Sequence, residues 1–274
     1  MIHLQCQLIR LSTRTINILS KKITYRHKNA EKLSLDTGPR QMIAVNEETS
    51  ARYEAGQLIL VDKPLHWTSF DVVRKIRGML RIKKVGHAGT LDPLATGLLV
   101  VCTGKFTKKI NEYMAAEKTY TGTITLGAVT PTYDLESTPI DEKDIGFVTP
   151  ELLNEKKQLF EGAILQFPPI YSAIKKEGVA LYELARRGEE VELKARPITI
   201  HEFELTEILL PFVHFKVVCS TGTYIRSLAH DLGQAVGCGA YLSSLRRTKI
   251  GALDVADAVS MEQFIESIRD QAAS

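Results

Sequence analysis

An α+β fold is predicted for this chain. Strand-like apolar runs and amphipathic helical stretches alternate along it without a regular βαβ period, so the strands need not be parallel or doubly wound. There is no GxGxxG, no Walker loop and no long internal repeat, which excludes the common nucleotide-binding architectures and solenoids. The 274 residues are 44% hydrophobic and only 7% aromatic, enough for one sizeable core and a small appendage. No stretch approaches 18 consecutive apolar residues, so a helical membrane span is excluded.

Residues 1–41 carry eight basic residues, from Arg10 to Arg40, against Glu31 and Asp36. The net charge of the whole chain is only +3, so the remainder is acidic on balance, and any nucleic-acid surface must come from local arrangement. The basic, Ser/Thr-containing lead has two readings: a mis-assigned start, with Met42 the true one, or an organellar transit peptide. The first is preferred, which makes the expected location cytoplasmic. Residues 1–55 are expected to be an extension, disordered or mis-assigned, with the fold beginning near Gly56.

Next, Ser69 to Leu80 places Val72, Val73, Ile76, Met79 and Leu80 on one helical face, with Thr68 or Ser69 as N-cap. Arg74, Lys75, Arg77 and Arg81 fall elsewhere on that helix, and Lys83 and Lys84 follow. Thr119 to Leu126 alternates strictly, with Tyr120, Gly122, Ile124 and Leu126 on one side, as in a half-buried strand. QFPPIYS (166–172) and the Gly-punctuated, basic run to Glu192 mark a projecting excursion. Two further strands, near 198–205 and 212–219, lead into STGTYIRSLAHDLG, a helix whose apolar face is Ile225, Leu228, Ala229, Leu232 and Val236. Arg226 sits in its first turn, where the helix dipole disfavours a cation by roughly 0.3–1 kcal/mol. An arginine placed so calls for an acidic partner.

Asp92 is that partner. It lies in GHAGTLDPLATG (86–97), where Pro93 biases the preceding residue away from helix and the glycines permit a tight turn. Leu98 to Cys102, LLVVC, reads as a buried strand behind it. Two readings follow from spacing: an Asx-turn that spends the carboxylate on backbone amides, or a carboxylate held rigidly for nucleophilic chemistry. The four cysteines form no CxxC pair and have no histidine at zinc-ligand spacing, which argues against a metal site and suits a reducing compartment.

In order and spacing, VDKP (61–64), TSFDVV (68–73), KVGHAGTLDPLATGLLVVCTGKFTK (84–108), KTYTG (118–122), GTYIRSLAHDLG (222–233) and SLRRTKIG (244–251) resemble the TruB family of tRNA pseudouridine synthases. The resemblance covers roughly Gln57 to Asp257. It implies the pseudouridine synthase fold, a mixed, largely antiparallel sheet with flanking helices and a central catalytic cleft over residues 56–257. Residues 258–274 are expected to be a short tail, too short for the C-terminal PUA domain of many family members. The implied activity is isomerisation of the uridine at position 55 in the tRNA T-loop, with the T-arm stem-loop as partner, no obligate protein partner, a monomer, and no cofactor or metal.

The resemblance also distributes roles. Asp92 is the catalytic carboxylate, Arg226 its guanidinium partner and Tyr120 the active-site tyrosine. Tyr224 and Leu245 wall the base, Lys63 and Pro64 belong to substrate binding, and His87, on the same loop as Asp92, fills the space left by the flipped base. Two other classes compete. A non-catalytic RNA-binding or RNA-folding module would not need Asp92, Tyr120 and Arg226 together. A nucleoside glycosidase would usually bring a second acid to catalytic distance, and none is visible in the loop.

Overall fold

The computed structural model describes residues 45–172, 175–176, 179–180 and 193–273; the readings made for residues 1–44 and for most of the excursion after Ser172 lie outside them. Six helices are described: α1 (Glu47–Ala55), α2 (Ser69–Leu80), α3 (Ile110–Ala115), α4 (Pro150–Lys157), α5 (Ile225–Val236) and α6 (Met261–Ala273). The strands are β1 (Leu58–Lys63), β2 (Val85–His87), β3 (Ala95–Thr103), β4 (Lys118–Leu126), β5 (Gly162–Gln166), β6 (Lys175–Lys176), β7 (Val179–Ala180), β8 (Arg196–Leu209), β9 (Phe212–Cys219), β10 (Ala240–Ile250), β11 (Leu253–Asp254) and β12 (Val259–Ser260).

Ten of these strands form one mixed sheet in the order β12-β1-β3-β10-β4-β9-β8-β5, with β2 paired to β3 and β11 to β10. Only β1–β12 and β3–β10 are parallel; every other pairing is antiparallel. Beside the centre of the sheet lies the parallel junction of β3 and β10, where Ala95 is opposite Leu245 and Gly97 opposite Arg247. Asp92 immediately precedes that junction. Gly97 (φ 100°) permits the close approach there, since a Cβ on it would lie 2.2 Å from the carbonyl oxygen of Arg247.

The periodic segments behave as their apolar spacing requires. On α2, Val72, Val73, Ile76, Met79 and Leu80 are all buried, against β1 and β3. On α5, Ile225, Leu228, Ala229, Leu232 and Val236 pack with Ile124, Phe215 and Leu242 of the central strands. Thr68 is the N-cap of α2, accepting from Asp71 N while the Asp71 carboxylate accepts from Thr68 N, a reciprocal capping box. Ser69 is thereby released for another contact.

Both ends of the packed body extend past the expected boundaries. Val45 and Tyr53 of the α1 region and Met261, Phe264 and Ile268 of α6 share one buried cluster, with the Tyr53 and Phe264 rings edge to face at 6.4 Å. Residues upstream of Gly56 and downstream of Asp257 are thus part of the core. The reason is that α1 buries little besides Tyr53, a pattern too sparse to read as amphipathic. Cys102, Cys219 and Cys238 are buried free thiols, and burial pushes the Cys102 and Cys219 thiols up to about 11, so they act as small core hydrophobes. Among the described residues no helix is long and apolar enough to cross a membrane.

Burial pushes the Asp231 carboxyl on α5 up to about 6 from 3.8. Ionising it in the folded state costs stability above pH 6, and the cost disappears below about pH 3.8, where folded and unfolded forms are both protonated. Asp231→Asn should therefore raise the thermal midpoint at pH 7.5 by about 2–4 °C, with no gain below pH 4, as calorimetry across that range would show.

Candidate active site

Asp92 sits on a turn whose backbone is held at nearly every residue. The Ser69 hydroxyl accepts from Leu91 N at 2.9 Å and donates back to Leu91 O at 3.2 Å. His66 N donates to Pro93 O at 2.8 Å, and Ala95 N closes the turn on Asp92 O at 3.0 Å. On the far side, Arg247 donates to Gly89 O at 3.0 Å. Lys63, completely buried, donates to the Pro64 and Trp67 carbonyls at 2.9 and 2.6 Å and so shapes the loop from which His66 and Ser69 reach over.

The Asp92 carboxylate is not spent on the turn. Arg226 lies against it, Nε 2.9 Å from Oδ2 and Nη2 3.4 Å from Oδ1. Arg226 is 5% exposed, and its Nη1 and Nη2 donate to the carbonyls of Thr132 (3.1 Å) and Tyr171 (3.0 Å). A second carboxylate, Asp134, reaches the same guanidinium, its Oδ2 3.6 Å from Nε. The Nε–H is aligned with neither acid well enough to count as a hydrogen bond, so the pairing there is Coulombic. Burial raises the Asp134 carboxyl above the usual carboxylate range, against the lowering effects of the Thr132 hydroxyl and the Arg226 charge.

Together with Leu94, Ala95 and Leu245, the trio Asp92, Asp134 and Arg226 lines a cleft at the β3–β10 junction. Its void is only about 20 Å³, room for about one water. Across Ser244 and Leu245 it adjoins a wider groove of about 420 Å³ floored by Gly122 and Phe215 and lined by Thr96, Thr121 and Thr123.

The other expected residues surround this cleft rather than line it. Tyr120 is 8% exposed on β4 and faces Arg247; burial is the largest influence on its phenol and raises it above its usual range, so it is neutral at physiological pH. Tyr224 precedes α5, its backbone clasped by both arms of the buried Gln166 amide at 2.8 and 3.1 Å, and its phenol is likewise raised by burial. Pro64 supplies one of the Lys63 acceptors, and burial lowers Lys63 to about 8 while the nearby Asp92 charge opposes that shift. His87 differs from expectation in placement: it ends strand β2, opposite Val101, instead of lying on the Asp92 loop. Its Nδ1 is buried without a hydrogen-bond partner, and desolvation keeps the ring neutral.

Asp134, Ser69, Gln166 and Arg247 carry no site role in the sequence reading. TPTYDLES has the look of a polar turn, and nothing in its period marks Asp134 as buried. Arg247 did leave a signal. In a strand, two consecutive arginines cannot both face water, and here Arg246 turns out to pair with Asp62 at 2.7 Å while Arg247 turns in.

The comparisons with known proteins agree with this geometry. Residues 77–225 match the model of the TruB family pseudouridylate synthase N-terminal domain, and residues 226–273 that of the tRNA pseudouridylate synthase B C-terminal domain. A tRNA pseudouridine synthase B from Flavobacterium johnsoniae is 54% identical over 229 residues, 81% of this chain and all of that protein. Its counterpart from Phocaeicola vulgatus is 48% identical, over 80% of this chain and 96% of that one. Among solved structures, a Cbf5–Nop10–Gar1 complex matches with a TM-score of 0.59 and 29% identity over 81% of this chain, which spans 61% of that larger one. Fold and comparisons together define an enzyme that isomerises uridine in RNA, on a mixed sheet. The chain belongs to the TruB family of pseudouridylate synthases.

Ser69→Ala leaves the buried Leu91 N–H without its acceptor. It should lower unfolding stability by about 1–3 kcal/mol in urea titrations, far more than the few tenths expected of an exposed serine on a helix.

Proposed function

We propose that this enzyme converts uridine to pseudouridine at position 55 in the T-loop of tRNA, acting on the T-arm stem-loop as a monomer with no obligate protein partner and no cofactor. The observation that carries the reading is the Asp92 carboxylate, partly open to the cleft and held by a buried guanidinium on an over-braced turn. The family relatives named for the same activity on tRNA support it.

The reaction needs no external redox or phosphate energy. The N1–C1′ bond breaks, the uracil turns, a C5–C1′ bond forms, and the proton lost from C5 is balanced by one gained at N1. Asp92 serves as the carboxylate that attacks the substrate or stabilises an oxocarbenium-like species. Arg226 holds it aimed, with its planar fork against both carboxylate oxygens. The target base must leave the RNA stack, at a cost of a few kcal/mol, and enter a cleft that is water-sized while empty. Tyr120, neutral at physiological pH, supports the base and is placed to handle the C5 proton late in the sequence. Tyr224 and Leu245 wall the base, Lys63 and Pro64 hold the loop beneath it, and His87 occupies the vacated stack. Arg81, Lys83 and Lys84, exposed between α2 and β2, offer phosphate contacts on the flank.

A non-catalytic RNA-folding role is disfavoured by the same network, since binding RNA gives no reason to bury Arg226 between two acids. The direct test is incubation with an unmodified tRNA transcript, followed by carbodiimide-dependent primer extension. A stop is expected at the T-loop uridine with wild type and none with Asp92→Asn, whose RNA affinity should stay within about threefold. A stop of equal strength with Asp92→Asn would overturn the assignment.

Arg226→Lys keeps the charge but cannot span Asp92, Thr132 and Tyr171 at once. Single-turnover kinetics on a T-arm minihelix should show a chemical step slowed about 10²-fold, as expected for a misplaced catalytic group, with Kd little changed.

A further inference from the structure

Arg247 is among the largest fully buried side chains, 1% exposed at the centre of the sheet. On β10 it lies opposite Gly97 of β3 on one side and Tyr120 of β4 on the other, just before the register shift that ends at Lys249. Its Nε donates to Leu98 O at 2.8 Å and its Nη2 to Gly89 O at 3.0 Å. Opposite Tyr120 on the neighbouring strand, the guanidinium lies near enough for its charge to act on the phenol. No carboxylate pairs with Arg247 among the described residues. A buried cation without a counter-ion is costly, and its charge opposes protonation of His87, Lys63 and Lys118 nearby. The core would be simpler with a leucine there.

What the guanidinium does that leucine cannot is join two elements. Gly89, on the turn that presents Asp92, has φ +94°, a backbone conformation that favours glycine, and lies in contact range of the guanidinium, a Cβ there falling 3.4 Å from Arg247 Nη1. Tyr120 is on a different strand. We propose that Arg247 is a positioning residue for the isomerisation, a planar fork that sets the Asp92 turn and the Tyr120 phenol at a fixed distance from one another. It touches no substrate; it acts through the two groups it holds. The proposal rests on the isomerase reading above for its kinetic consequence, and on the fork geometry alone for its structural one.

Two variants strike the contact. Arg247→Lys keeps the charge but offers one ammonium where the fork made separate bonds to Leu98 and Gly89. Arg247→Gln removes the charge and keeps a planar donor too short to hold both carbonyls. For each, the single-turnover rate and Kd on a T-arm minihelix are measured, with hydrogen exchange of residues 86–95 in the RNA-free protein. We expect a chemical step at least about tenfold slower, Kd within about threefold of wild type, and exchange about tenfold faster in 86–95 while β8 and β9 keep their protection. Wild-type rate with unchanged exchange in the folded variants would overturn the proposal, as would a loss of affinity as large as the loss of rate. If Arg247→Lys does not fold, Arg247→Gln decides. If wild-type protein is inactive on the minihelix, the isomerase reading falls and the exchange measurement alone judges the positioning.

Discussion

Arg226 is the residue on which the site depends. A guanidinium almost out of solvent, in the first turn of α5, sits against the helix's own dipole and away from water. Such a charge is tolerable only when opposite charge and hydrogen-bond acceptors surround it closely. Three pieces of chain supply them: the β2–β3 turn gives Asp92, the segment after β4 gives Asp134 and the Thr132 carbonyl, and the stretch after β5 gives the Tyr171 carbonyl. The same β5 segment ties down the helix start through Gln166 on Tyr224 and the Phe167 carbonyl on Ser227. Each of these offsets part of the cost of burying the guanidinium, so the network ties the geometry of the site to folding.

The Asp92 turn is held independently of that network. Its backbone contacts come from the loop before α2, from α2 itself and from β10, so the carboxylate's position is set before Arg226 meets it. This matters because a carboxylate in a water-sized cleft has little freedom to search for its target. Preorganisation replaces search. It also brings two cations to the Asp92 side chain, Arg226 in direct contact and Lys63 within reach of its charge.

Much of this was legible in the sequence. The faces of α2 and α5, the strands at 118–126 and 212–219, and the pairing of an arginine against its helix dipole with a loop aspartate follow from period and electrostatics. What periodicity cannot carry is contact across long separations. Asp134 is buried because Arg226, 92 residues later, needs its charge, and no local pattern encodes that. Ser69 was ambiguous with Thr68 as a cap, and only the capping box on Asp71 resolved which hydroxyl remained for Leu91. The α1 and α6 segments escaped because each contributes few side chains to a shared cluster, too few for a visible stripe. GHAG is rich in turn formers and so reads as loop at His87, yet pairing with β3 extends strand structure to it.

The protonation states divide the proposed chemistry between the groups. In that proposal Asp92 is the group that meets the substrate, lying against a cation on a turn that does not consume its oxygens. Tyr120, with its phenol raised by burial, has no standing negative charge to offer as a base. The C5 proton can pass to it only if the phenol's own proton leaves in the same event, or it must leave by water. The neighbouring Arg247 charge opposes the effect of burial on that phenol and makes a transient phenolate less costly there. A void of about 20 Å³ has space for one such water when the base is absent, and none is needed once a base has parted the walls. Water at this site and the substrate base therefore compete for one volume, which ties dehydration of the cleft to entry of the uracil and leaves Asp92 facing the substrate rather than solvent.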